Sequence, residues 1–264
     1  MEQQTVCTAV DSAGVATVTL NRPDKHNAFD DAIIAELRTA FDQLATREDV
    51  RVVVLASTGR NFSAGADLAW MKRMANYDYA HNIKDAQALA GMLKTLYELP
   101  QPTIARVQGA AFGGAVGLIS CCDMAVGSEN ASFALSEVKI GLVPSTISPY
   151  VIRAIGERAA RRYFVTAERF RAAQALRLGL LSEVVPETEL DTTVKALVAA
   201  ILGNSPAAVR SVRELIAVVA NEPLTDALID ETCARIATIR VSPEGQEGLG
   251  AFLDKRQPKW IKDS

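Results

Sequence analysis

Histidine is scarce in this chain of 264 residues: His26 and His81 are the only two, they sit in unrelated contexts, and both are expected on the surface or in turns. With no H-E-x-x-H present, a zinc peptidase loses its support. G-x-S-x-G, G-x-x-x-x-G-K-[ST] and a G-x-G-x-x-G after a strand are missing too, which removes the usual basis for nucleophile-elbow, P-loop and dinucleotide-binding readings. The four cysteines, Cys7, Cys121, Cys122 and Cys233, lack the C-x-x-C spacing that sets two thiolates on one metal, so no metal is expected and the thiols should be reduced and structural. An excess of one charge is also absent. Lys and Arg number 28, Asp and Glu 31, and the net charge of −3 creates no field that would draw nucleic acid or an anionic membrane. No stripe of Lys and Arg interleaved with aromatics suggests an RNA surface, so a non-catalytic RNA-binding protein ranks low. Val107 to Cys122, the longest weakly polar stretch, is interrupted by Gln108 and Ser120 and is too rich in Gly and Ala for a membrane span. Met1 to Gln4 are polar and show no charged-then-apolar signal region, so a cytoplasmic protein is expected.

What is present is apolar residues, 49% of the chain, ample for one large domain or one domain with a helical appendage. Thr5 to Val10 and Val15 to Leu20 read as a hairpin turning at Asp11-Ser12-Ala13-Gly14. Asp30 caps a helix whose apolar positions Ile33, Leu37, Phe41 and Leu44 form one buried face. Val50 to Ala56 is apolar throughout except for Arg51, as in a strand buried on both faces of a parallel sheet. Helical sequence runs from Asp67 to about Leu99 with a break near Asn76-Tyr77. A strand follows at Thr103 to Val107, then a glycine turn, an apolar helix to Cys122 and a short strand at Asp123 to Val126. That rhythm is of βαβ units. In the last third, Pro206, Pro223 and Pro243 are each expected at a first helical position, with Ser205 and Ser242 as caps.

Two glycine-bearing turns stand between a buried strand and a helix: Phe62-Ser63-Ala64-Gly65-Ala66-Asp67 and Ala111-Phe112-Gly113-Gly114-Ala115. The first N–H groups of a helix have no internal partner and lie at the positive end of its dipole, so two such turns together can make an oxyanion hole. Tight packing of helix on strand also demands Gly and Ala, and for either turn alone it is the stronger reading.

The ordered strings LNRPDKHNAF (Leu20 to Phe29), FSAGADL (Phe62 to Leu68), VQGAAFGGAVGL (Val107 to Leu118), SFALSEVKIGLVP (Ser132 to Pro144) and KRQPKW (Lys255 to Trp260) resemble the enoyl-CoA hydratase/isomerase (crotonase) family over nearly the entire chain. The resemblance implies an α/β fold with a core of stacked ββα turns over residues 1–200 carrying an acyl-CoA site. It also implies a helical region at 201–264 involved in trimerisation, and a homotrimer or a homohexamer of two trimers. No separate cofactor is implied, because coenzyme A enters as part of the substrate. The N–H groups of Ala66 and Gly114 would receive the thioester oxygen, backbone around Ser63, Ala64 and Ala66 would lie beside the adenine, and Arg22 and Lys25 would lie near the coenzyme phosphates. Lys255 and Arg256 would add charge there, from a neighbouring subunit; for each cation a solvated surface role competes.

Negative charge builds on the thioester oxygen when a neighbouring proton leaves or water adds across the adjacent double bond. Losing one preorganised donor to that oxygen costs about 3 kcal/mol. Glu137 matches the family's second catalytic glutamate and would carry the proton. The first glutamate is missing: the residue three after Gly114 is Gly117. That leaves a hydratase in which Glu137 works alone or with another water-holding group, or an isomerase that needs one carboxylate.

The strings ADLAWMKRM (Ala66 to Met74) and GLVPSTISPY (Gly141 to Tyr150) look most like bacterial methylglutaconyl-CoA hydratases of leucine breakdown and the related hydratases of isoprenoid-acid breakdown. Trp70, Gly117 and Ser145 are the expected substrate-pocket residues. Two carboxylates about 5 Å apart repel by roughly 3 kcal/mol at an effective dielectric of 20, so a substrate with its own carboxylate is disfavoured beside a second ionised glutamate. Gly117 would remove that repulsion and make room. Lys72, Arg73 or Arg153 would pair with the substrate carboxylate, or serve on helix surfaces.

Overall fold

The computed structural model describes residues 4–220 and 222–261, so Met1 to Gln3 of the polar start lie outside the described residues. In chain order the elements are β1 (Val6–Val10), β2 (Val15–Leu20), α1 (Asp31–Ala45), β3 (Val52–Ser57), α2 (Leu68–Met74), α3 (Tyr79–Tyr97), β4 (Thr103–Val107), β5 (Ala110–Phe112), α4 (Gly114–Cys121), β6 (Met124–Ser128) and β7 (Ser132–Ala134). The chain continues through α5 (Ser148–Ile155), α6 (Glu157–Thr166), β8 (Phe170–Arg171), α7 (Ala172–Leu178), β9 (Glu183–Val185), α8 (Leu190–Leu202), α9 (Pro206–Val219), α10 (Asp226–Val241) and α11 (Pro243–Leu253).

The hairpin β1–β2 opens a six-stranded sheet of order β1-β2-β3-β4-β6-β9, in which every pair after the hairpin is parallel. Parallel pairing requires crossovers, and α1, α2 with α3, and β5 with α4 supply them. The apolar run of β3 has a direct cause. Val53 and Leu55 face the main core with Leu37, Phe41 and Leu96, whereas Val52 and Val54 face a second cluster under α8 with Leu190 and Val194. Alternate side chains therefore enter two cores, and the strand is apolar up to Ser57 at its end.

A second, three-stranded sheet of order β5-β7-β8 lies along the first. Isolated bridges lengthen this arrangement: Ser63 pairs with Ala111, and Phe29 with Ala66. Successive turns of the chain, each made of a strand in the large sheet, a strand or bridge in the smaller layer, and a helix, thus stack on one another. The fold is α/β, a core of stacked ββα turns ending in helices.

Caps set most helix starts. Asp30, Asp67 and Asp78 accept N–H groups at the heads of α1, α2 and α3, and Asp78 marks the break expected near Asn76-Tyr77. Ser205 and Ser242 cap α9 and α11, with Pro206 and Pro243 at the first helical positions. Pro223 does not follow that pattern. α10 begins at Asp226, where Thr225 Oγ1 accepts the N–H of Leu228 at 3.2 Å, and Pro223 lies in the preceding loop. Glu222, immediately before it, is a poor cap, whereas a threonine two residues later has the short hydroxyl that the position favours. Among the described residues no single helix is long and apolar enough to cross a membrane.

Candidate active site

The two glycine turns meet because the bridges place their strands side by side. The N–H of Phe29 donates to the Gly65 C=O and the N–H of Asp67 donates to the Phe29 C=O, both at 2.7 Å. This pairing uses the peptide groups on either side of Ala66 and leaves the Ala66 N–H pointing away from Phe29. In the other turn, Gly113 donates its N–H to Ala134 at 2.9 Å and then reverses the chain with φ 54° and ψ −120°, a conformation open to glycine. Gly114 starts α4. Among the described residues neither the Ala66 N–H nor the Gly114 N–H has a hydrogen-bond partner.

Both residues line one cavity of about 150 Å³ with Phe29, Ile34, Trp70, Leu89, Glu137, Val143, Pro144, Thr146 and Ile147. The lining is apolar except for the two backbone N–H groups, the Trp70 indole N–H, Thr146 and Glu137, so a charge developing inside is poorly screened by water and strongly affected by oriented donors. A larger hollow of about 510 Å³ is lined by Arg22, Asp30, Ile33 and Glu36. Its carboxylates are engaged: Asp30 pairs with Arg22, and Glu36 Oε2 accepts from Thr5 Oγ1 and the Val6 N–H. The smaller cavity has unpaired donors and an unpaired carboxylate.

Glu137 heads a short 3-10 turn, Glu137–Ile140, that follows β7. A Cβ built on Gly113 would lie 3.1 Å from Glu137 Oε1, so the carboxylate rests against the backbone that leads into Gly114. Its Oε2 is buried without a partner among the described residues. Burial pushes the Glu137 carboxyl above the ordinary carboxylate range, because its charged form is poorly solvated there. A carboxyl raised in this way holds its proton more firmly than an exposed one, which suits a group that must both give and take a proton.

The structure places the other expected residues less uniformly. Trp70 lines the cavity from α2, and its Nε1 is buried without a hydrogen-bond partner. Ser145 does not line it; the flanking Pro144 and Thr146 do, while Ser145 is exposed and its C=O accepts from Ser148 Oγ at 2.8 Å. Gly117 does not line it either. A Cβ there would meet Ile147 Cγ2 at 2.3 Å, so the room expected from the missing side chain is already filled by Ile147, which forms the cavity wall.

Ser63 is fully buried, its N–H and C=O engage Ala110 and Phe112, and its Oγ accepts the Gly65 N–H. It therefore offers no surface to a nucleotide. Ala64 is half-buried and donates its N–H to the His26 C=O at 2.9 Å. Arg22 is held inward by Asp30 and Asp67, whereas Lys25 is exposed beside it. Lys255 is exposed just past α11 with φ 54°, and Arg256 pairs with Glu247. None of Lys72, Arg73 and Arg153 lines the cavity: Arg73 pairs with Asp31, and Arg153 donates to the Pro149 C=O.

Sequence reasoning missed Phe29, Ile34, Leu89 and Ile147 as cavity walls. Phe29 and Ile147 stood within the strings LNRPDKHNAF and GLVPSTISPY, but Ile34 and Leu89 are apolar residues at ordinary core spacing and carry no local signal.

Comparisons with known proteins give the family and the fold. The family described as enoyl-CoA hydratase/isomerase matches residues 11–263. Mevalonyl-coenzyme A hydratase sidH of Aspergillus fumigatus is 32% identical over 251 residues, covering 93% of this chain and 91% of that protein. Among solved structures, an enoyl-CoA hydratase from Shewanella pealeana is similar with a TM-score of 0.94 and 46% identity, covering 98% of this chain and 97% of that one. An enoyl-CoA hydratase of Mycobacterium smegmatis is similar with a TM-score of 0.92 and 34% identity, covering 98% and 99%.

Proposed function

The chain belongs to the enoyl-CoA hydratase/isomerase family with enoyl-CoA hydratase-type activity on an acyl-CoA substrate, and from that premise we propose that it hydrates a short, branched 2-enoyl-CoA whose acyl group carries its own carboxylate, as in methylglutaconyl-CoA. The observation that carries the reading is the convergence of two unpaired N–H groups, from Ala66 and Gly114, with the half-buried Glu137, whose Oε2 is enclosed without a partner. The thioester oxygen accepts from both N–H groups. As water adds at C3, charge moves onto that oxygen and Glu137 handles the proton, at C2 or on the water. The apolar walls and the small volume suit a short acyl end. The similarity to a hydratase named for mevalonyl-CoA, whose acyl group branches at C3, supports a branched substrate. Lys25 and Lys255 are the exposed cations left for the coenzyme phosphates. A place in leucine or isoprenoid-acid breakdown follows from the substrate proposed. Assembly as a trimer, or a hexamer of two trimers, is part of the same reading. The exposed Val212, Ile216 and Val219 on α9, with Leu249, Phe252 and Leu253 on α11, support it as apolar surface to cover.

One observation favours a second reading, an enoyl-CoA isomerase. Gly117 and Ile147 put hydrocarbon where a second carboxylate would hold water, leaving Glu137 as the one ionisable side chain in the cavity lining. A proton shift within the substrate needs only one carrier. Incubation with 2-enoyl and 3-enoyl thioesters, including methylglutaconyl-CoA, followed by mass measurement separates the two: a gain of one water means hydration, and an isobaric product means isomerisation. No change in any thioester would overturn both.

A further inference from the structure

Arg22 sits in the loop between β2 and α1, and its backbone is fastened at both ends: its N–H donates to Asn27 Oδ1 at 2.8 Å, and its C=O accepts the Asn27 N–H at 2.9 Å. Asn27 in turn donates through Nδ2 to the C=O groups of Thr58 and Asn61, at 2.8 and 2.9 Å. From this anchored base the guanidinium reaches two carboxylates. Its Nη1 lies 2.9 Å from Asp30 Oδ2 and its Nη2 lies 3.2 Å from Asp67 Oδ2. Both carboxylates use their other oxygen to cap a helix: Asp30 Oδ1 accepts from Ile33 at the head of α1, and Asp67 Oδ1 accepts from Ala69 and Trp70 at the head of α2.

These two aspartates immediately follow the two residues of the Phe29–Ala66 bridge. One planar fork therefore ties the heads of two helices together directly beside the residue whose N–H faces the cavity. The side chains are mostly enclosed, with Asp67 only 10% exposed, so screening is limited and two adjacent carboxylates without the cation would repel. Burial pushes the Asp67 carboxyl up, but the Trp70 and Ala69 N–H groups, Arg22 and Lys25 pull it further the other way, and it lies below its ordinary value.

We propose that Arg22 is a positioning residue for the reaction: by bridging Asp30 and Asp67 it fixes the direction of the Ala66 N–H toward the thioester oxygen. This rests on the reading of Ala66 and Gly114 as the oxyanion donors. It differs from the role the sequence resemblance implied, contact with coenzyme phosphates, because both terminal nitrogens of the guanidinium are engaged inward. The geometry needs a fork that spans two carboxylates; an ammonium has the charge but not the planar pair of donors.

The test compares wild type with Arg22→Lys and Arg22→Gln, measuring kcat and KM on the enoyl-CoA that the wild type turns over, the Kd for free coenzyme A, and the infrared carbonyl frequency of a bound thioester. Misaiming one donor predicts a loss of kcat of about tenfold to a hundredfold for Arg22→Gln and a smaller one for Arg22→Lys. Coenzyme A affinity should stay within about twofold, since free coenzyme A has no thioester oxygen. The bound carbonyl should shift back toward its frequency in water. A merely structural role would lower stability without moving kcat per folded enzyme or the carbonyl frequency.

Should the Arg22 variants fail to fold, Asp67→Asn serves instead, because it retains the capping oxygen and loses only the ion pair; the same fall in kcat is expected. An unchanged kcat with weaker, salt-sensitive coenzyme A binding would overturn the positioning role and restore the phosphate contact. If the wild type turns over no enoyl thioester, the functional reading fails and the positioning role falls with it. An active wild type with unaffected variants sinks the positioning role alone.

Discussion

Adding one methyl group at Gly117 should destabilise the protein, although the same change on an exposed helix stabilises it by about 1 kcal/mol. Gly117 lies inside α4, and its Cβ would stand 2.3 Å from Ile147 Cγ2, 2.8 Å from Ile147 Cβ and 3.6 Å from Leu93 Cδ2. Leu93 is fully buried and Ile147 nearly so, so neither can move aside into solvent. Overpacking of this kind costs about 1–3 kcal/mol. With the shortest contact so severe the upper end applies, and after the helix-propensity gain the net loss is about 2 kcal/mol, or about 4–8 °C in Tm for a chain of this size.

Ile147→Ala alone removes three buried carbons and should cost about 2–5 kcal/mol. On that background Gly117→Ala should cost close to nothing, because Cγ2 is gone and only the 2.8 Å contact with Cβ remains to be relaxed. The coupling energy is then about 2 kcal/mol. Ile147→Val is the control. Valine keeps Cβ and both γ carbons, so it should give no rescue. Thermal unfolding of all six proteins at one protein concentration measures this. Additivity of Gly117→Ala and Ile147→Ala within about 0.5 kcal/mol, or equal rescue by Val and Ala, would refute the steric account. By the same reasoning Gly117→Glu and Gly117→Gln should fail alike on crotonyl-CoA and methylglutaconyl-CoA, since bulk rather than charge is excluded first.

Glu137→Gln should preserve the fold and coenzyme A binding and lower turnover by a factor on the order of a hundred or more; near-normal steady-state rates would remove Glu137 from the mechanism. The same variant reports on burial. Glu137 binds its proton more tightly folded than unfolded, so wild-type stability should fall as pH rises from the ordinary glutamate value through the raised one, and level off above it. The Gln variant should lack that fall in denaturant titrations between about pH 4 and about pH 8, and identical slopes for the two proteins would contradict the raised value. Gly114→Pro deletes one donor and should depress kcat far more than coenzyme A affinity, with circular dichroism confirming the fold; full activity in a folded variant would sink the oxyanion assignment.

Much of this protein follows from short-range chemistry and is legible in the chain. The hairpin, the Asp30 and serine caps and the two glycine turns each depend on neighbours within a few residues, where backbone sterics and hydrogen-bond reach decide, and the apolar run of β3 announces a strand covered on both faces. So does the missing glutamate at Gly117, and Glu137 was recognisable from the string around it. Pro223 shows the limit even locally, since the proline did not mark the helix start, which lies at Asp226 behind the Thr225 cap.

Only the tertiary structure decided what surrounds those residues. The cavity walls come from four separate stretches, at Phe29 and Ile34, Trp70, Leu89 and Ile147, brought together by bridges and helix packing across more than a hundred positions. Whether Gly117 leaves a space depends on where Ile147 sits, and whether Arg22 meets solvent or two aspartates depends on how two loops stack. The raised carboxyl of Glu137 is likewise set by burial beneath residues distant in the chain. Sequence determined which groups were available, because propensity and capping act over one or two turns; packing determined their neighbours and their solvation, because those depend on contacts between residues far apart in the chain.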